Sequence, residues 1–143
     1  MGGFLGSFLH QLDEKGRVAL PASFRRERGA ESFVLLHWHD HALFLYPAGG
    51  WGEVEERLRE LRRRRPESRL EIARLTANAV EVFPDKQGRI LIPERLKAAA
   101  KLKQEVLIVG ALDRIEMWDA KTFETLAAQD RPEMDEFVRQ ILA

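Results

Sequence analysis

Apolar residues alternate with their neighbours over two short stretches, Val18-Ala19-Leu20 and Ile90-Leu91-Ile92, each leaving a glycine, Gly16 or Gly88. That pattern predicts a strand in each half of the chain. Each strand is preceded by a short apolar segment: Phe8, Leu9 and Leu12 first, then Val80, Val82 and Phe83. Each is followed by a proline, Pro21 or Pro93, suited to the first turn of a helix, where a missing N–H has no partner to lose. The predicted helices cover residues 22–28 and 94–101. Two β-rich pairs come next, 33–38 with 42–46 and 105–110 with 114–118. The apolar period then changes from two residues to nearly four. Trp51, Val54, Leu58 and Leu61 predict one helix, and Leu70, Ala73, Leu75 and Ala77 a second after Pro66. Phe123 and Leu126 predict a short helix. Met134, Phe137, Val138, Ile141 and Leu142 predict an amphipathic end helix, expected to pack on its own core or on a neighbour.

The pattern repeats at an offset of 72 residues. Asp13-Glu14-Lys15-Gly16-Arg17, with its strand and Pro21, lies over Asp85-Lys86-Gln87-Gly88-Arg89, with its strand and Pro93. Without a gap, Phe24 then lies over Leu96, and Val34-Leu35-Leu36 over Val106-Leu107-Ile108. Leu43 lies over Ile115, Leu45 over Met117, Tyr46 over Trp118 and Trp51 over Phe123. The expected organisation is a first module at 7–54, a helical connector at 55–78, a second module at 79–122 and a helical tail at 123–143. One such module cannot bury its apolar faces alone, so two copies are expected to share a core.

Composition narrows the chemistry. With no cysteine, the chain holds no disulfide, thiolate nucleophile, Cys-based zinc site or iron–sulfur cluster. Its 143 residues suffice for a core without a staple. Lys and Arg total 23, and so do Asp and Glu. A uniformly basic coat is excluded, but a local basic surface is not. The run from Arg57 to Arg69 holds seven Arg and two Glu. Glu53, Glu55, Glu56 and Glu60 precede or interleave it, an order that suits pairing along a helix and between subunits. No apolar run reaches the roughly 18 residues of a membrane span. The N-terminus carries no basic leader, so a cytoplasmic, membrane-free chain is expected.

The D-x-x-G-R loops are the main candidate site. Asp13 and Asp85 are short acceptors placed to bind their own loop's amides, and Gly16 and Gly88 admit a left-handed backbone. Arg17 and Arg89 present planar forks that suit phosphate oxygens or a guanine edge. The competing reading is a purely structural turn in which each Asp pairs with its Arg. Lys15 and Arg17 alternate, so on a strand both cations face one way, which ranks the first loop above the second. Lys86 is the second loop's own cation beside Gln87. Arg25, Arg26 and Arg28 are candidates to widen a phosphate footprint, as are Lys97, Lys101 and Lys103. They also read as a solvated helix face. His37, His39 and His41 could share a strand face and hold a metal, but the run straddles a hairpin turn, and no metal or cofactor is assigned. Trp38, Trp51 and Trp118 read as core or interface anchors. There is no phosphate-binding glycine loop and no nucleophile elbow.

The doubled D-x-x-G-R loop, each followed by an apolar strand and Pro, resembles the MraZ family. Leu45-Tyr46-Pro47, Val109-Gly110 and Glu116-Met117-Trp118-Asp119 are similar to it as well. The first loop matches the family pattern fully; the second has Gln87 where the first has Lys15. The resemblance implies an α+β, mainly β fold. It consists of two tandem swapped-hairpin modules of the AbrB/SpoVT type, forming a small barrel flanked by helices. It also implies a bacterial, nucleoid-associated transcriptional regulator rather than an enzyme. Such a protein assembles as a cyclic homo-oligomer and contacts short G-rich direct repeats in double-stranded promoter DNA near division and cell-wall genes. Two alternatives stand beside it: a ring-forming interaction protein whose loops are only turns, and a metal-dependent hydrolase using His37, His39 and His41.

Overall fold

The computed structural model describes residues 3–27, 29–39, 41–129 and 132–142. The first half contains β1 (Ser7–Gln11), β2 (Arg17–Ala19), α1 (Ala22–Arg25), β3 (Phe33–His39), β4 (Ala42–Pro47) and α2 (Ala48–Arg64). A short 3-10 turn at Pro66–Ser68 leads to α3 (Arg69–Ala77). The second half contains β5 (Val80–Val82), β6 (Arg89–Leu91), α4 (Glu94–Ala99), β7 (Glu105–Ala111), β8 (Arg114–Asp119), α5 (Ala120–Ala127) and α6 (Pro132–Leu142). The class is α+β with two tandem copies.

The copies are interlocked. Six strands form one sheet in the order β1-β7-β8-β4-β3-β5, and β2 and β6 form a separate two-stranded ribbon. Exchanging the copies maps that order onto its own reverse. Thus β1 of the first copy completes the second copy's hairpin, Phe8 opposite Ile108, and β5 completes the first copy's, Val80 opposite Leu35. The pseudo-twofold axis passes between Phe44 and Glu116 in the sheet and between Val18 and Ile90 in the ribbon. The expected small barrel takes the form of a sheet plus a ribbon. Among the described residues β1 and β5 remain sheet edges, because each ribbon strand is three residues long and finds its partner in the other copy.

The shared core lies between the sheet's inner face and the ribbon. Phe33, Leu35, Leu43, Leu45, Val106, Ile108, Ile115 and Met117 are fully buried, together with Ile90. Val18, Leu20, Ile92, Phe24 and Leu96 close the layer. Burying one such side chain is worth about 1.5–3 kcal/mol, so neither copy forgoes this layer cheaply. Trp51 and Leu75 join Leu36, Phe44 and Tyr46 in a second cluster on the other face of the first copy's hairpin.

The ungapped 72-residue alignment slips by one in β3. Phe33 and Leu35 share full burial with Val106 and Ile108, one residue beyond the offset. The second copy has one more residue between Leu102 and Val106 than the first has between Ala30 and Phe33. The first copy regains the frame at a register irregularity between His37 and His39. The helices after the ribbon are also shorter than expected. Pro21 and Pro93 sit at the N-caps with extended backbone (ψ 141° and 143°), one step before the first turn. Their carbonyls accept the opening bonds, from Phe24 and Arg25 and from Leu96 and Lys97.

Residues 3–6, which the sequence left unassigned, are pinned. Phe4 and Leu112 exchange backbone bonds of 2.8 and 3.0 Å, and the Phe4 ring meets Phe24 edge-on at 5.2 Å. Gly110 has no side chain where the Phe4–Leu5 backbone passes. Along α2, Arg59, Arg63 and Arg64 pair with Glu55, Glu56 and Glu60 within the same helix. On α6, Phe137, Ile141 and Leu142 remain exposed.

Candidate nucleic-acid interface

Both loops close by the same chemistry. In the first, Asp13 Oδ1 accepts the amides of Lys15 and Arg17 at 2.9 Å each, and Oδ2 accepts Arg17 Nε at 2.8 Å. In the second, Asp85 Oδ1 accepts the amides of Gln87 and Arg89 at 2.9 Å each, and Oδ2 accepts Arg89 Nε at 2.9 Å. Gly16 and Gly88 turn the chain at φ 83° and 79°, the left-handed region that a side chain would strain. The amides of Arg17 and Arg89 hold Asp13 and Asp85 below the ordinary carboxylate range, with further help from the Arg side chains.

This geometry bears on the choice between a structural turn and a binding loop. Each carboxylate engages the Nε edge of its arginine, which fixes the guanidinium while the terminal amino groups remain as donors. The side chains of Arg17 and Arg89 stay 31% and 30% exposed, enough to meet a ligand. An exposed ion pair of this kind adds little to stability, so its main effect is orientation.

The ribbon brings the loops together. Leu20 N–H donates to Gly88 O, and Ile92 N–H donates to Gly16 O, both at 2.9 Å. With Val18 and Ile90 turned into the core, strand alternation puts Arg17, Ala19, Arg89 and Leu91 on the ribbon's outward face. Arg89 Nη1 lies 3.8 Å from Asp13 Oδ2, so an ion pair joins one copy's loop to the other's.

The remaining candidates divide. Lys15 and Lys86 are exposed in the loop turns. Lys15 lies before β2 starts, and the left-handed glycine intervenes, so strand alternation with Arg17 does not hold there. The ranking of the first loop above the second loses that support. Arg26 is exposed at the end of α1. Arg25 reaches across to the second copy, its guanidinium covering Gly88, while its Nε donates to Leu20 O of its own copy at 3.2 Å. Sequence reasoning put Arg25 with the first loop, since nothing local signals a contact between residues this far apart. Arg28 lies outside the described residues.

The histidine cluster is not assembled as an alternating face. The irregularity between His37 and His39 breaks the period, and His37 Nε2 is buried without a hydrogen-bond partner. His41 stacks on Trp118, with ring centroids 6.4 Å apart. Among the described residues no group of three or more His, Cys, Asp or Glu is arranged to hold a metal. Trp51 and Trp118 pack in the second apolar cluster, whereas Trp38 is exposed. A network across the outer face went unread in the sequence. Arg114 lies 3.9 Å over the Phe44 ring and pairs with Glu116 at 2.7 Å, and Glu116 accepts Trp118 Nε1 at 3.0 Å.

Fold and site together define a class: tandem α+β proteins whose two copies exchange strands and present twin D-x-x-G-R loops on one ribbon. The family model described as "MraZ protein, putative antitoxin-like" matches residues 4–72 and again 75–142. The chain belongs to the MraZ family. It is 40% identical over 121 residues to the transcriptional regulator MraZ of Moorella thermoacetica, covering 85% of this chain and 84% of that one. It is 36% identical over 139 residues to that of Desulforamulus reducens, covering 97% of each. It is also 42% identical over 115 residues to that of Carboxydothermus hydrogenoformans, covering 80% of each.

Proposed function

We propose that this DNA-binding transcriptional regulator contacts double-stranded promoter DNA through its twin loops. Arg17 and Arg89 read base edges or phosphates, and Lys15, Lys86, Arg25 and Arg26 add phosphate contacts. The observation that carries the reading is the pair of arginines on one outward face, each held at Nε by the Asp of its own loop. A guanidinium fixed at Nε is preorganised for a guanine edge or a phosphate. G-rich direct repeats are the proposed target, one repeat for each chain of a cyclic homo-oligomer. The exposed stripe of Phe137, Ile141 and Leu142 supports assembly, since a contiguous apolar face on a surface helix seeks cover. The protein acts without cofactor or catalysis, in the cytoplasm at the nucleoid. Among the described residues no helix is long and apolar enough to cross a membrane.

The test is a titration of repeat-bearing promoter DNA against scrambled DNA over a salt series, with light scattering on the free protein. Repeat-dependent binding that weakens steeply with salt is the expected result. Equal affinity for scrambled DNA overturns base readout by the loops, and salt-independent binding overturns their phosphate contacts. A purely monomeric species overturns the assembly.

A further inference from the structure

The two loops are alike in their own hydrogen bonds but not in what lies over their glycines. At Gly16 an added Cβ would meet the Ile92 carbonyl and the tip of Leu91, both parts of the ribbon itself. At Gly88 it would collide with the Arg25 guanidinium. Gly88 is accordingly buried, while Gly16 is only half-buried. The residue equivalent to Arg25 under the repeat is Lys97, whose Nζ lies 4.0 Å from Glu94 on its own helix.

Arg25 is held there by the fold. It ends α1, the short helix that opens at Pro21, and its Nε donates to Leu20 O. Leu20 in turn donates its amide to Gly88 O, so helix, strand end and second loop are tied through one residue. With Nε engaged by Leu20 O, the positive charge of Arg25 sits over Gly88 of the second loop, the residue that follows Gln87. Gln87 stands at the position where the first loop carries Lys15. A neutral Gln accepts and donates hydrogen bonds but cannot offset a phosphate.

We infer that Arg25 is a phosphate-binding residue of the second loop, donated by the first copy. The second DNA contact is therefore a composite site, formed by Arg25 from one half of the chain and Lys86 and Arg89 from the other. This inference rests on the proposed DNA-binding role of the loops. It supplies the second loop with a cation that its own sequence does not contain, in addition to Lys86 and Arg89. The neutral Gln87, where the first loop has Lys15, is thereby offset by a charge from across the pseudo-twofold axis.

The experiment compares Arg25→Ala with Lys97→Ala, equivalent positions in the two copies, in the full-length protein on repeat-bearing DNA. Arg25→Gln is the companion variant, because it removes the charge while keeping a donor for the Leu20 carbonyl. Oligomer size and thermal midpoint are checked for each. The composite site predicts that Arg25→Ala and Arg25→Gln both lower the slope of log affinity against log salt by about one for each engaged chain, while Lys97→Ala leaves it unchanged. It also predicts that adding Gln87→Lys restores the slope in either Arg25 variant. Equal effects at Arg25 and Lys97, or no effect at Arg25 while Arg17→Ala still abolishes binding, overturn the composite site and leave the loops as the DNA surface. If the unaltered protein and Arg17→Ala are alike in failing to prefer the repeats, the DNA reading itself falls, and this inference with it.

Discussion

Val18 and Ile90 face each other at the centre of the β2–β6 ribbon, each in the position the other would take if the two halves of the chain were exchanged. Both are buried, and their neighbours Arg17 and Arg89 point the opposite way. The apolar pair thus fixes the spacing of two arginines through one short ladder.

Truncating Ile90 to Ala should remove about 2–5 kcal/mol of stability, because the void opens where sheet and ribbon meet. The urea midpoint should fall with the slope unchanged. A loss within about 0.5 kcal/mol, the range of ordinary surface substitutions, would show that the ribbon is not packed as described.

Arg17→Ala and Arg89→Ala should each cost about 1–3 kcal/mol of binding for every engaged loop, with relaxed sequence preference. The two losses should be similar, since Asp13 and Asp85 hold their arginines by matching bonds. Titrations of both variants against repeat-bearing and scrambled DNA check this. A loss confined to Arg17→Ala would restore the first loop's primacy. Neither change should alter thermal stability much, because these ion pairs are exposed.

Asp13 and Asp85 titrate below their ordinary range when folded, first because of the Arg17 and Arg89 amides. The unfolded chain therefore binds protons at a higher pH than the folded chain does. The stability these carboxylates contribute is complete above about pH 4 and is lost as pH falls through their lowered folded values. The variant Asp13→Asn with Asp85→Asn should be less stable than the parent at about pH 6, and the gap should close toward about pH 2. Urea titrations at the two pH values decide. A gap that persists in acid would assign the effect to the amide's geometry rather than to lost charge.

Gly110→Ala should destabilise the protein by about 1–3 kcal/mol, as overpacking does. The new methyl group would press on the Phe4–Leu5 backbone where Gly110 N–H donates to Gly6 O at 2.7 Å. Hydrogen exchange should quicken at the Gly110, Leu112 and Phe4 amides. Unchanged protection there would mean that the N-terminal segment does not press on β7.

Much of this architecture is written locally. The turn demanded by Gly16 and Gly88, the Asp acceptors and the arginines four residues later form a signature that needs no tertiary knowledge. The strand pairs and the helical stripes were legible for the same reason, being matters of period. Strand partnership was not. The residues of β1 look as suited to β3 as to β7, since backbone ladders carry no address. The one-residue slip in β3 was hidden because Val34, Leu35 and Leu36 are all apolar, leaving no polar residue to mark the outer face. Arg25 looked like one more charge on a helix, and its contact with Gly88 exists only once the copies interlock. Trp38 looked like a core or interface anchor; the irregularity in β3 leaves it outside this chain's core.

The exchange of first strands also dictates how the chain must be made. Ser7 pairs with Val109, so β1 leaves the ribosome about a hundred residues before its partner. At the usual 5–20 residues per second, roughly 5–20 seconds pass before the ladder can form. During that interval the apolar residues Phe8 and Leu9 have no strand to lie against, and the first hairpin lacks the edge that β5 will supply. Completion of either half waits on the other, so the finished sheet is a product of late, long-range closure, the slow and exposed kind of folding step. A nascent chain stalled within the connector would present an unpaired strand and an open sheet edge together, the combination that quality-control machinery and stray β-strands both recognise.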